Sequence, residues 1–213
     1  FNRFSEIATR SAKEIGLWNE EMMNQYGWVV AKQTLHLNRP LYYKDRIDLS
    51  TTIDNGSFVS FPRYYFITKD NQEVGYCSSI WTLIDIHKRR IVSPKRIGLQ
   101  VPEVTHEIHL DEPKTIDIDI PMIYTTTRKV LYSDVDTNQH MNTRYIQWAL
   151  DLIDYNIHKE YFISDMSIQY KKEVRPLEDV LLYLAHQQQR YIVEGKDQEG
   201  NVYFTIEIYF TKR

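Results

Sequence analysis

The 213-residue chain carries 26 Lys and Arg against 29 Asp and Glu, a net charge of −3, which is not the basic balance of a nucleic-acid binder. A hydrophobic fraction of 42% with 16 Tyr and 4 Trp describes an ordered globular chain rich in half-buried sheet residues. A lone cysteine, Cys77, rules out an internal disulfide and fits a reducing, cytoplasmic setting, and no apolar run reaches membrane-spanning length or reads as a signal peptide.

The spacing of Phe4, Ile7/Ala8, Ala12 and Ile15 predicts a helix over 4–15, with Gly16 as its C-terminal cap. Residues 17–27 read as a connector or short helix around Trp18 and Met22/Met23. From Trp28 the period becomes two, predicting a half-buried strand that ends at Arg39-Pro40. Arg46 to Asp54 is the next strand, Asn55-Gly56 has the composition of a hairpin turn, and Phe58 to Thr68 is its partner. Lys69 to Glu73 turns again, and Val74 to Ile86 is a long strand. Residues 87–115, with Lys88-Arg89-Arg90 and Pro94-Lys95-Arg96, read as a linker wrapping the outside; the basic cluster is either a solvated loop or a docking patch for an acidic partner.

The organisation then repeats. Ile116 to Ile120 and Thr126 to Tyr132 read as strand. A helix over 142–155 follows, with Met141, Tyr145, Trp148/Ala149 and Leu152 on one face. Tyr161 to Lys171 is a strand broken at Arg175-Pro176, Val180 to Ala185 begins the next pair, Gly195 to Gly200 turns, and Val202 to Phe210 closes. Arg39-Pro-Leu echoes Arg175-Pro-Leu, and Lys69-Asp-Asn-Gln-Glu-Val echoes Lys196-Asp-Gln-Glu-Gly-Asn-Val, in the same order. The fold class expected is therefore α+β, with two tandem units, each a helix wrapped by a curved antiparallel sheet, over 1–115 and 116–213. The first copy lacks a strand before its helix, as expected if residues preceding Phe1 have been lost.

Between strand and helix in the second copy lies Ser133-Asp-Val-Asp-Thr-Asn-Gln-His-Met-Asn142, which puts acid, amide and imidazole together. His140 can accept a proton near neutral pH or, as the plainer alternative, bond to backbone at a helix start. Asp136 can orient that imidazole or cap the helix, and Asn138 can donate to an oxyanion or sit in a turn. Asn142 reads most simply as the cap and Asp134 as structural. Glu173, at the end of a strand, is either a charged edge residue or a general base returned to this loop. Cys77 reads as a small core residue. His106 and His109 lack a third ligand, and no Gly-rich phosphate loop occurs, so neither metal nor cofactor is expected.

Asp134-Val-Asp-Thr-Asn-Gln-His-Met-Asn142 followed by Tyr145-Ile146-x-Trp148 resembles the signature of the acyl-acyl-carrier-protein thioesterases of plant plastids and bacteria. Trp28-Val29-Val30, Arg39-Pro40, Asp45 and Tyr170-Lys171-Lys172-Glu173 fall in that family's order, so the resemblance spans almost the whole chain. It implies a double hotdog fold, the first domain holding the acyl chain and the second catalysing hydrolysis of the fatty acyl thioester on acyl carrier protein. Carried over, the catalytic set is Asp136, Asn138, His140 and Glu173. Plant members have paired asparagines after the histidine, where this chain has Met141-Asn142-Thr143. They also carry a cysteine after the glutamate, where this chain has Val174, so attack by a cysteine there is excluded and water attack is favoured. An acyl-Glu173 intermediate stays open.

On this reading Met22, Met23, Trp28 and Trp81 line the acyl channel or are plain core. Lys95, Arg96, Arg128, Lys171, Lys172 and Arg175 are candidates for docking the acidic carrier. An acyl-CoA thioesterase of the same fold, or an acyl-binding or 3-hydroxyacyl dehydratase-type protein, is the alternative. Chain-length preference and the choice between monomer and homodimer are open at this level.

Overall fold

The computed structural model describes residues 1–105, 108–135, 141 and 144–213, excepting the side chain of Met23. The chain divides into two compact units: Phe1–Thr34 with Tyr42–Pro113, and Leu35–Leu41 with Lys114–Arg213.

In the first unit, helix α1 (Asn2–Glu14) buries Phe4 and Ala8 on its apolar face. Gly16, at φ +75°, closes the helix: its N–H donates to Lys13 O (3.3 Å) and that of Leu17 to Ala12 O (2.8 Å). These are the paired bonds of a Schellman cap, and the left-handed position favours glycine. A one-turn helix α2 (Glu20–Met23), capped by Asn19, leads into β1 (Tyr26–Leu37). Strands β2 (Asp48–Ile53), β3 (Phe61–Lys69) and β4 (Gln72–Asp85) complete an antiparallel sheet in the order β2-β3-β4-β1. The turn between β3 and β4 is tighter than the expected 69–73: Asp70 and Asn71, both at positive φ, form it alone, matching the twist of the flanking strands.

Asn55-Gly56 does not make the expected hairpin turn. Residues 54–60 form a longer loop, in which Asn55 exchanges hydrogen bonds with the Val104 backbone (2.8 and 2.9 Å) and the partner strand starts at Phe61. A Cβ on Gly56 would meet the Phe61 ring at 2.4 Å, so its glycine serves close packing and not a left-handed turn. The linker does more than wrap. Its start pairs with β4 as the short strand β5 (Arg90–Ile91), and a 3-10 turn over Pro94–Ile97 follows.

The second unit repeats this order with one strand added. Strand β6 (Ile123–Lys129) precedes helix α3 (Arg144–Leu150); then come β7 (Tyr161–Tyr170), β8 (Asp179–Gln187), β9 (Arg190–Lys196) and β10 (Val202–Lys212). The antiparallel order β6-β8-β9-β10-β7 matches that of the first unit once β6 is set aside. Helix α3 buries Tyr145, Ile146, Trp148 and Ala149, with Tyr145 against Phe204 of β10 at 4.6 Å between ring centres.

Two expectations fail here. Ile116 to Ile120 is not a strand. Ile116 and Ile120 pack on Ala185 and Ile192 while Ile118 is exposed, and Arg190 holds the backbone by donating to Asp117 O (2.8 Å) and pairing with Asp119. Isoleucines can thus be buried against a sheet face without joining its ladder. The helix is also shorter than 142–155. It ends at Leu150, the chain turns, and Tyr155–Lys159 is a separate 3-10 segment, so Ile153 and not Leu152 is the buried side chain. The expected start at Asn142 lies outside the described residues.

Gly195 faces Phe204 across β9 and β10, and a Cβ there would stand 2.3 Å from the fully buried Phe204 ring. Gly195→Ala should lower the unfolding free energy by about 1–3 kcal/mol through overpacking. Gly16→Ala, which has open space but the wrong φ, should cost about 1 kcal/mol. Urea midpoints of the two variants measure both.

Candidate functional site

Asp136, Asn138 and His140 lie outside the described residues, but both edges of that segment are placed. Val135 and Met141 form an isolated antiparallel bridge, and the Met141 N–H donates to Val174 O (3.3 Å). The residue after His140 is thus bonded to the residue after Glu173. Val174 is fully buried, and its backbone lies beside the Tyr145 phenol. Burial pushes that phenol well above its usual range. The Val174 backbone opposes this, while Tyr170, Glu173 and Tyr203 reinforce it, so the Glu173 carboxylate is close enough for its charge to be felt at Tyr145.

Before Glu173, the N–H groups of Lys171 and Lys172 both donate to Tyr203 O (2.8 and 3.1 Å). After Val174, Arg175 to Glu178 forms a turn with Pro176 at its second position and Leu177 at φ +67°, a left-handed site usually given to Gly or Asn. Leu177 N–H donates to Val130 O and Val130 N–H to Glu178 O (each 2.9 Å), fastening the turn to the strand ahead of the signature. Glu178 Oε2 accepts from the Arg175 N–H (3.0 Å) and from the Tyr203 hydroxyl (3.1 Å), and burial with this carboxylate moves Tyr203 up to about 12. Glu173 itself is half-buried. Asp134 takes the structural part its position suggests, accepting from Leu131 N–H (2.8 Å) and lying 3.5 Å from Arg144.

The other expected site residues are distributed as follows. Trp28 packs edge-on against Phe61 (5.2 Å) and donates to Leu17 O, and Trp81 lies directly across the ladder from Phe61, so these two tryptophans share one aromatic group. Met22 is elsewhere in the first unit, on the wall of a cleft of about 350 Å³ with Tyr26, Ile97 and Leu99; the Met23 side chain is outside the description. Lys95 and Arg96 are exposed on the 3-10 turn. Arg128 is paired with Asp151 (2.8 Å) and Lys172 with Asp197 (3.2 Å), whereas Lys171 and Arg175 are exposed with no ion pair among the described residues. Sequence reasoning missed Tyr203 as a support of the Glu173 segment; it reads as a strand aromatic, and only the fold aims its hydroxyl and carbonyl there.

The acyl-ACP thioesterase N-terminal domain family matches residues 1–96, and the acyl-ACP thioesterase C-terminal domain family matches residues 123–212. The chain belongs to the acyl-ACP thioesterase family. Its fold is accordingly the tandem hotdog. A palmitoyl-acyl carrier protein thioesterase of Cuphea hookeriana chloroplasts is 26% identical over 196 residues, covering 81% of this chain and 46% of the relative. The chain therefore spans about half the length of the curated relatives it matches. Among solved structures, an acyl-ACP thioesterase from Bacteroides thetaiotaomicron superposes with a TM-score of 0.79 at 20% identity, covering 99% of this chain and 87% of that one. The 12:0-ACP thioesterase of Umbellularia californica gives 0.78 at 17%, covering 100% and 88%.

Two outcomes test this geometry. Tyr203→Phe removes the hydroxyl that donates to Glu178 Oε2 (3.1 Å) and should cost about 1–3 kcal/mol, read as a lower urea midpoint. Asp197 accepts from Asn201 through side chain and backbone and from Lys172, and Asn201 first among these holds its carboxyl at about 2 against an ordinary 3.8. Because the folded value is the lower one, its contribution to stability is complete above the ordinary value and is lost as pH falls through about 2. A carboxyl-carbon NMR titration should show Asp197 still charged at pH 3, and Asn201→Ala should raise its midpoint.

Proposed function

We propose that this protein hydrolyses the thioester of fatty acyl-acyl carrier protein, releasing free fatty acid and holo-carrier protein. The observation that carries the reading is the Met141 to Val174 hydrogen bond, which supports a single site made from His140 and Glu173 although they lie far apart in sequence. Family membership supports the substrate class. On this reading residues 116–213 perform the chemistry and residues 1–115 hold the acyl chain, with Trp28 and Trp81 on its wall.

Glu173, with His140, takes a proton from water as the oxygen attacks the thioester carbonyl. Asp136 orients the imidazole, and Asn138 donates to the oxyanion of the tetrahedral intermediate. Collapse of that intermediate breaks the C–S bond, and the thiol of the phosphopantetheine arm leaves with the proton. Val174 has no nucleophilic group, which favours direct attack by water. Lys171 and Arg175, uncompensated and flanking Glu173, steer the acidic carrier, with Lys95 and Arg96 as a second basic element. A cytoplasmic setting belongs to the same proposal, and light scattering of the purified protein decides between monomer and homodimer.

Thiol release from acyl carrier protein thioesters of graded chain length, with the same acyl groups on CoA in parallel, is the test. Glu173→Ala and His140→Ala should each lower kcat by about 10²–10⁴-fold while leaving the urea midpoint near that of the wild type. No release from either carrier by wild type removes the hydrolase reading, and faster release from CoA transfers it to the other carrier.

A further inference from the structure

From 86 to 102 the chain carries five cations, Lys88, Arg89, Arg90, Lys95 and Arg96, and no carboxylate. The first three sit at the tip of the hairpin between β4 and β5, where all six residues from 86 to 91 are exposed. Two of the six are isoleucines. Ile86 is 39% and Ile91 57% exposed, and Ile91 lies directly across the ladder from the half-buried Ile84. A solvated turn is ordinarily built from Gly, Pro, Asn, Asp and Ser, none of which occurs between 86 and 91.

The tip is held firmly from below. Asp85, 2% exposed, accepts from the N–H groups of His87 (3.1 Å) and Lys88 (2.8 Å) and lies 3.6 Å from Lys88 Nζ. The Ile86 N–H donates to Gln25 O (2.9 Å), the His87 ring bonds Asn24 O (3.0 Å), and the Val92 N–H donates to Leu83 O (2.9 Å). Arg89 stands at φ +50°, a left-handed position that glycine or asparagine takes at lower cost. The hairpin thus keeps a bulky cation where the backbone favours a small residue, and presents it on a preformed support.

We propose that this hairpin docks the protein on an anionic lipid surface. A run of exposed residues at a projecting turn suits a broad, flat partner, whereas a bound helix needs a groove and a bound strand needs a sheet edge. Isoleucines placed beside cations match the border of a bilayer. The aliphatic side chains enter the apolar boundary while the Lys and Arg ends stay with the anionic headgroups. Lys95 and Arg96, exposed on the 3-10 turn that follows, add to the attraction of the leaflet. The contact is peripheral and needs no spanning segment. It goes beyond the thioesterase reading and does not depend on it; under that reading, a docked enzyme releases its fatty acid beside the phase into which such a chain partitions.

Flotation of the full chain with vesicles tests this directly and needs no turnover. Wild type should float with vesicles of equimolar phosphatidylcholine and phosphatidylglycerol and not with phosphatidylcholine alone, and added salt should release it as the headgroup field is screened. Lys88→Gln with Arg90→Gln should weaken partitioning by roughly 10–30-fold. Ile91→Ser should weaken it several-fold and keep the salt dependence. Lys171→Gln with Arg175→Gln, which removes as much charge from the second unit, should leave partitioning as in wild type. Unchanged urea midpoints check that each variant is folded. Absence of flotation with the anionic vesicles, flotation of the Lys88 and Arg90 variant equal to wild type, or an equal loss in the Lys171 and Arg175 variant overturns the proposal. So does release by glycerol 3-phosphate, which marks a simple anion site, and so does Lys88- and Arg90-dependent binding of apo-acyl carrier protein without vesicle binding, which gives the patch to an acidic protein. Failure of wild type to hydrolyse any acyl thioester removes the thioesterase reading and leaves the vesicle result standing.

Discussion

The Val174 carbonyl accepts from the Met141 N–H while its side chain is fully buried. The candidate site segment depends on that attachment. Glu173 belongs to a stretch that has left β7 and not yet entered the Arg175–Glu178 turn, where a chain ordinarily has few restraints. Here the residue after it is fully buried and bonded to Met141, at the end of the signature. Such a support holds a neighbouring carboxylate in place where a loop would not. The strain at Leu177, a bulky residue at positive φ, is tolerated in the same setting because its N–H and the Glu178 carbonyl are both fixed to Val130.

The two units share strand order but differ in how they treat polar side chains. In the second, Phe204, Ile206, Ile208, Ile168 and Leu182 fill the sheet at near-zero exposure, and the buried Glu194 and Gln169 are each partnered. In the first, the face under α1 mixes Tyr65 and Cys77 with Arg63, Ser79 and Gln33, and burial pushes the Cys77 thiol well up so that it stays protonated, its Sγ donating to Ser78 O (3.8 Å).

The strands were legible because alternation reports a half-buried ladder, and the repeat of a helix-plus-sheet unit was legible from two short echoes, Arg-Pro-Leu and Lys-Asp, that fall at the same joints of both units. The Gly16 cap was legible because only a left-handed position asks for that residue there. Ile116 to Ile120 misled for a physical reason: Ile116 and Ile120 are buried against the sheet without joining it, and the Arg190 contacts that decide the matter come from some seventy residues away. Asn55-Gly56 misled because the glycine answers to the Phe61 ring and the asparagine to Val104, neither of which is local. Of the candidate site, the acid, amide and imidazole were visible as composition, while the bond that joins Met141 to Val174 was not, because it is a matter of which backbone atoms meet.

Charge near Glu173 follows the same logic of partners over composition. Lys171, Lys172 and Arg175 are equivalent in sequence, yet Lys172 is tied to Asp197, whose own proton is held off by the turn that Asn201 closes. Its ammonium also sits over the Tyr203 ring at 5.2 Å, so it serves the packing of β10 against the site segment more than the field outside. Lys171 and Arg175 have no such ties among the described residues and stay exposed on either side of Glu173. A field that steers an acidic partner is made by charges that are not already answered, and it falls off within about 10 Å at moderate salt. Two unanswered cations bracketing one carboxylate therefore present their field only at short range, where β7 gives way to the Arg175–Glu178 turn.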